Sequence, residues 1–153
     1  MNNEAIEVIF ADEKVRGAFW KQGSAGSAGH DLCALTRREI VLKPNESILI
    51  STGVRVWLRN PELCGFVYPR SGLGCKGVVL KNLVGVIDSD YQGEIKVCLW
   101  NTSNSKVVIE PYDRIAQYVV QRVVADREQF NEVSTFSDET VRGSKGFGSS
   151  GSR

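Results

Sequence analysis

The segment Gly85-Val-Ile-Asp-Ser-Asp-Tyr-Gln-Gly-Glu-Ile95 holds the residues best suited to chemistry. An apolar run ends in two aspartates, and Tyr-Gln-Gly follows before a second apolar run. A hairpin there would hold Asp88 at its mouth, beside backbone groups free to meet a ligand. A carboxylate beside a water is a general base, worth about 10²–10⁴-fold in rate. Aspartate is equally at home in an ordinary turn, so residue types alone leave both readings open. Pro69-Arg-Ser-Gly-Leu-Gly74 combines a guanidinium, a hydroxyl and two glycines after an apolar run. That combination suits phosphate oxygens, with Arg70 bidentate, Ser71 donating and glycine backbone N–H groups approaching closely. A strand-ending turn with an exposed arginine has the same composition.

Gly146-Phe-Gly-Ser-Ser-Gly151 matches GxGxxG literally. A dinucleotide-binding reading fails because no helix or second strand follows, and no Gly-Lys-Ser/Thr completes a P-loop. What remains is a donor-rich strip with Arg142, Lys145 and Phe147, either a lid over a phosphorylated ring compound or a simple tail. His30 stands alone as the single histidine and reads as structural or surface. Trp20, Trp57 and Trp100 lie in or beside apolar runs and read as core or subunit interface.

These residues need strands to position them. Runs rich in β-branched and aromatic residues fall at Ile6–Phe10, Ile40–Leu42, Ser47–Leu58, Leu63–Tyr68, Val78–Leu83, Leu83–Ile87, Gly93–Asn101, Lys106–Ile109 and Arg114–Val124. Within Gly93–Asn101, Ile95, Val97 and Leu99 alternate onto one face. Pro44-Asn45, Asn60-Pro61, Asn101 to Ser105 and Pro111-Tyr112-Asp113 punctuate the runs as turns. No window of eleven residues keeps a helical period, and helix is confined to a turn near Ser71–Lys76 and a stretch at Asp126–Phe130. Evenly spaced strands imply an all-β sandwich, jelly roll or barrel. Gly23–Gly29 is a small-residue segment leading into the apolar stretch His30-Asp-Leu-Cys-Ala34.

Composition narrows the function classes. The chain has 153 residues, enough for one domain with a real core. Its 19 basic and 18 acidic residues give a net charge of +1, which argues against nucleic acid or an acidic membrane as a bulk-charge partner. No run approaches the ~20 apolar residues of a membrane helix, and the first residues lack a signal-peptide pattern. Cys33, Cys64, Cys75 and Cys98 form no CxxC pair, so zinc and disulfide frameworks give way to reduced, mostly buried thiols. A cytoplasmic, intracellular protein is expected.

Taken in order, five segments resemble the motifs of the trimeric dUTPase family (deoxyuridine 5′-triphosphate nucleotidohydrolases): Ala28–Ala34, Pro69–Gly74, Gly85–Ile95, Arg114–Val120 and Arg142–Gly151. The resemblance runs from about residue 5 to the end. It implies an all-β, distorted jelly-roll-like barrel or sandwich of eleven to twelve strands, with residues 1–141 as the β-domain and 142–153 as a flexible, glycine-rich arm closing over an active site. It also implies a homotrimer with three sites at the subunit interfaces, hydrolysing dUTP to dUMP and pyrophosphate with Mg²⁺. Asp88 would deprotonate the attacking water and Tyr91 would pack under the deoxyribose. Asn82 and the backbone of Gly85, Val86 and Ile87 would pair with uracil. Arg70, Ser71, Gly72 and Gln117 would bind phosphates, and Asp31 would hold Mg²⁺ through water. In the arm, Phe147 would stack on uracil while Arg142, Gly148, Ser149 and Ser150 grip the terminal phosphates. His30 and Lys145 depart from the usual motif residues. Two other readings compete: a dCTP deaminase-like enzyme of the same fold, and a nucleotide-gated regulatory binding protein.

Overall fold

Alternation of apolar and polar side chains builds most of the chain. Along Glu94–Asn101, Ile95, Val97, Leu99 and Asn101 are buried while Lys96 is exposed, the period-two pattern of a strand with one face on a core. The computed structural model describes residues 5–21, 23–124 and 130–144. In chain order the elements are β1 (Glu7–Phe10), α1 (Glu13–Trp20), β2 (His30–Cys33), β3 (Ile40–Leu42), β4 (Ser47–Trp57), β5 (Leu63–Pro69), α2 (Ser71–Gly74), β6 (Val78–Leu80), β7 (Gly85–Ile87), β8 (Glu94–Asn101), β9 (Val107–Ile109) and β10 (Arg114–Arg122).

The strands form a sheet of order β1-β4-β8-β6, a sheet of order β2-β10-β5-β7, and a small β3-β9 ladder. All pairings are antiparallel. Ile50, Val54, Val56, Ile95, Val97 and Leu99 of the first sheet join Leu32, Val67, Ala116 and Tyr118 of the second in one core. This is the all-β, jelly-roll-like sandwich the sequence implied. The described residues hold ten strands, against the eleven to twelve that the resemblance implied. They contain no helix long and apolar enough to cross a membrane.

Helix α1 was not expected. Eight residues leave room for a single buried i,i+4 pair, Val15 and Phe19, too little for a periodic signal. Its start is marked by Asp12, whose carboxylate accepts from Val15 N at 2.8 Å as an N-cap. Helix α2 sits where a turn was read at Ser71–Lys76, and most of the Asp126–Phe130 stretch lies outside the described residues. The Val78–Leu83 run stops at Leu80, because Leu83 takes a left-handed conformation (φ 64°) in a turn before β7. β2 emerges from the apolar stretch after the small-residue segment.

Asp88 does not stand at the mouth of a hairpin, the place its sequence context suggested. β7 and β8 do not form a hairpin: β7 pairs with β5 in one sheet, and β8 pairs with β4 and β6 in the other. Residues 88–93 therefore cross between sheets.

Gly65 on β5 is demanded by packing, since a Cβ there would overlap the ring and hydroxyl of buried Tyr118. Burial also pushes the Tyr118 phenol up to about 12. The tryptophans line the surface of this body rather than its core. Trp20 is exposed, and Trp57 and Trp100 are half-buried. Of the thiols, Cys33 and Cys64 are buried, Cys98 is half-buried and Cys75 is exposed, so only part of the set is buried as expected.

The cap can be tested. Asp12→Ala is expected to cost about 1 kcal/mol at neutral pH. The Val15 N–H bond holds the Asp12 carboxyl below its ordinary value. Its contribution is therefore present above the unfolded pKa and lost as pH falls through the lower folded pKa. Urea midpoints of the two proteins, at fixed protein concentration, should converge as pH drops from about 7 to 3; a constant gap would refute the cap.

Candidate active site

The edges of β7 and β8 decide what can bind near Asp88. Val123 N donates to Glu62 O at 2.8 Å, which sets the phase of the β10–β5 ladder. In that phase Gly65 and Val67 turn their backbone groups toward β7, onto Ile87 and Gly85. The N–H and C=O of Val86 therefore point away from β5, out of the sheet. On β8, Lys81 N donates to the Cys98 carbonyl at 2.9 Å, and Asn101 N donates to Glu46 O on the opposite side. Alternation puts the backbone of Lys96 on the same side as that of Cys98, beyond the reach of β6, which pairs only with Leu99–Asn101. Val86 and Lys96 thus face a slot with two donors and two acceptors that no strand takes up.

A cleft of about 500 Å³ occupies this place, lined by Arg55, Val86, Ile87, Asp88, Tyr91, Glu94, Ile95 and Lys96. Asp88 is exposed at its wall and also borders a second groove of about 960 Å³ with Trp57, Phe66 and Asp90. Tyr91 folds back so that its hydroxyl donates to Glu94 O at 3.0 Å. Asn82 is not among the cleft's lining residues; its amide nitrogen donates to Val84 O at 3.2 Å. Sequence reasoning missed Lys96, Ile95, Glu94 and Arg55. Only the pairing pattern reveals Lys96, because a free strand edge has no residue signature. Arg55, Glu94 and Ile95 reach the cleft from the paired β4–β8 ladder.

The other candidates gather elsewhere. Asp31 on β2 accepts from Arg70 Nε at 2.8 Å and from Arg114 Nη1 at 3.0 Å, so one half-buried carboxylate holds two guanidinium groups. Arg70 Nη1 also donates to Arg114 O at 3.3 Å. Gln117 pairs with Asp31 across the ladder and donates to Pro69 O at 3.0 Å. Ser71 and Gly72 are exposed at the start of α2, and a Cβ on Gly72 would meet nothing within 4 Å. Their N–H groups have no intrahelical acceptor. With one carboxylate against two guanidiniums, the cluster carries net positive charge and suits an anion.

The two groups stay apart. Asp31 lies three strands from β7, about 14 Å across, and Asp88 is about four residues further along, roughly 13 Å. Within one chain they cannot flank the same phosphorus. Arg142 is exposed, and Phe147, Gly148, Ser149, Ser150 and Lys145 lie outside the described residues. His30 is half-buried and stacked on Phe19 with centroids 4.5 Å apart, a structural role.

A family model described as dUTPase matches residues 16–151. The chain belongs to the dUTPase family. Over 151 residues it is 46% identical to the deoxyuridine 5′-triphosphate nucleotidohydrolase of Neisseria meningitidis serogroup B, covering 98% of this chain and 99% of that protein. It is 44% identical over 153 residues to the enzyme of the same name from Buchnera aphidicola, covering 98% and 94%. Among solved structures, a point mutant of the Staphylococcus bacteriophage 80alpha dUTPase with dUpNHpp superposes with a TM-score of 0.80 at 25% identity, covering 96% of this chain and 98% of that one. A mutant dUTPase from phage phi11 of S. aureus, in which a structural Mg(II) ion is coordinated, matches with a TM-score of 0.73 at 20% identity, covering 88% and 100%.

As a dUTPase the chain offers a direct test of its charge cluster. Arg114→Ala removes one of the two cations on Asp31 and leaves Arg70 to take its carboxylate alone. The KM for dUTP should rise by about tenfold, the loss of one charge-assisted hydrogen bond, with thermal stability little changed. An unaltered KM would show that Arg114 does not tune the cluster.

Proposed function

We propose that this chain hydrolyses dUTP to dUMP and pyrophosphate, with a water activated by Asp88 attacking the α-phosphorus. The observation that carries the reading is the slot of unpaired backbone between Val86 and Lys96, opening beside Asp88 and Tyr91. Uracil presents an N–H flanked by two carbonyls, and fixed backbone donors and acceptors can match that order. Cytosine reverses two of those groups and would leave buried polar atoms unpaired, a mismatch that discriminates by orders of magnitude. Asn82 would have to release Val84 to join the reading. Tyr91 lies at the cleft where the deoxyribose would rest.

The chemistry is in-line displacement. Asp88 takes a proton as the water oxygen bonds to the α-phosphorus, and the bond to the bridging oxygen breaks to release pyrophosphate. Arg70, Ser71, Gly72 and Gln117 hold the phosphates. No group of three or more metal-ligating side chains occurs among the described residues. Asp31 offers a single carboxylate already shared by two arginines, which fits an ion arriving on the triphosphate with its own waters and touching Asp31 through them. Mg²⁺ bound there would offset phosphate charge.

The separation of Asp88 from Asp31 and Arg70 supports a homotrimer in which one copy supplies the slot and another the phosphate cluster. Residues 142–153 would act as a closing arm on the β-domain of residues 1–141, Phe147 stacking on uracil and Arg142, Gly148, Ser149 and Ser150 holding the terminal phosphates. Phe130, Val133, Phe136 and Val141 are all exposed, so the segment approaching that arm already lies off the body. Four free cysteines suit a reducing, cytoplasmic setting.

The decisive measurement is pyrophosphate release from dUTP against dCTP, dTTP and UTP, with and without Mg²⁺. dUTP with Mg²⁺ should dominate; ammonia from dCTP would favour a deaminase instead. Asp88→Asn should retain nucleotide binding and lose at least about 10²-fold in kcat. Mixing Asp88→Asn with Arg70→Ala chains under exchange should restore turnover that neither shows alone. No recovery would contradict the shared site. Truncation before Arg142 should cripple turnover while the protein stays folded.

A further inference from the structure

Tyr91 is held in place by more than its own loop. Its ring lies across Gly93, where any Cβ would overlap the phenol, and its hydroxyl reaches Glu94 O. Glu94 in turn is fastened across the sheet to β4. Its Oε1 accepts from Gly53 N at 2.9 Å and its Oε2 from Ser51 Oγ at 3.3 Å. The contact falls where the β4–β8 register breaks between Ser51 and Arg55, and Gly53 stands at φ 71° in that bulge. The bulge is itself tied down: buried Thr52 donates from Oγ1 to Ile95 O at 2.6 Å, and Gly53 O accepts from Ala11 N at 2.8 Å.

A carboxylate accepting two donors inside a strand irregularity is an expensive arrangement to build, and β-bulges recur where a side chain must be aimed. Here the aimed group is Tyr91. We propose that Glu94 is the positioning residue that sets sugar selectivity, transmitting the rigid β4 bulge to the Tyr91 ring. The proposal rests on the reading of Tyr91 as the residue under the deoxyribose. With Glu94 fastened, the ring cannot retreat from a 2′-hydroxyl. Released, the Tyr91–Glu94 turn gains freedom, and UTP enters.

The test compares kcat and KM for dUTP and UTP in the wild-type chain and in Glu94→Ala, Glu94→Gln and Tyr91→Ala, each checked for folding by thermal unfolding. Glu94→Ala should lower the dUTP-to-UTP ratio of kcat/KM by about tenfold. The change should lie mainly in KM, because Asp88 and its water are not displaced. Glu94→Gln keeps an acceptor for Gly53 N and should recover most of the ratio. Ser51→Ala, which removes only the longer bond, should have a smaller effect of the same sign. If Tyr91→Ala lowers the ratio while folded Glu94→Ala does not, the positioning role is wrong and the sugar reading stands. If Tyr91→Ala itself leaves the ratio unchanged, the sugar reading has failed. Should Glu94→Ala fail to fold, Glu94→Gln and Ser51→Ala carry the test, and an unchanged ratio in both overturns the proposal.

Discussion

Backbone hydrogen bonding that stops short at two strand edges shapes the cleft beside Asp88 and Tyr91. β7 is the last strand of its sheet, and only one of its edges meets β5. β8 is central, yet β6 is too short to cover it beyond Leu99. The N–H and C=O groups of Val86 and Lys96, which no strand takes up, are left at the gap that both residues line. Both residues are exposed, so water or a ligand can complete these groups. Because the chain crosses from one sheet to the other over residues 88–93, Asp88 and Tyr91 fall at the mouth of that gap.

A second constraint is charge. Asp31 neutralises only one of two arginines that the β2–β10–β5 ladder brings against it. The surplus positive charge suits an anion, and Asp88 stands on the far side of the same sheet. Strand spacing holds them apart too rigidly for side-chain motion to close the distance within one chain, which is the ground for the proposed sharing of a site between copies. The segments around Asp31 and Arg70 and the segment around Asp88 are thus parts of different surfaces, although they alternate along one chain.

Packing supplies the stiffness that both halves require. Gly65 lets Tyr118 press against β5 opposite β7, and Glu94 pins β8 to the β4 bulge beneath Tyr91. Gly65 lies behind the cleft, while Glu94 belongs to its lining.

Strand content and turn positions were legible in the amino-acid order, since period-two alternation and turn chemistry are local properties. Asp88, Arg70 and Tyr91 were assigned roles only by their place in the five-segment resemblance. Helix α1 was not, because one buried pair over eight residues is no period. The hairpin expected at Asp88 was also wrong: alternation tells which face of a strand is buried but not which strand lies beside it. Residue order by itself determined the all-β class, the family and the types of group brought to the site. Tertiary structure alone decided that β7 and β8 part company, that Lys96 and Glu94 join the cleft, and that Asp31 faces two arginines far from Asp88. Those outcomes depend on pairing between segments distant in the chain, where hydrogen-bond register, not residue identity, sets the geometry.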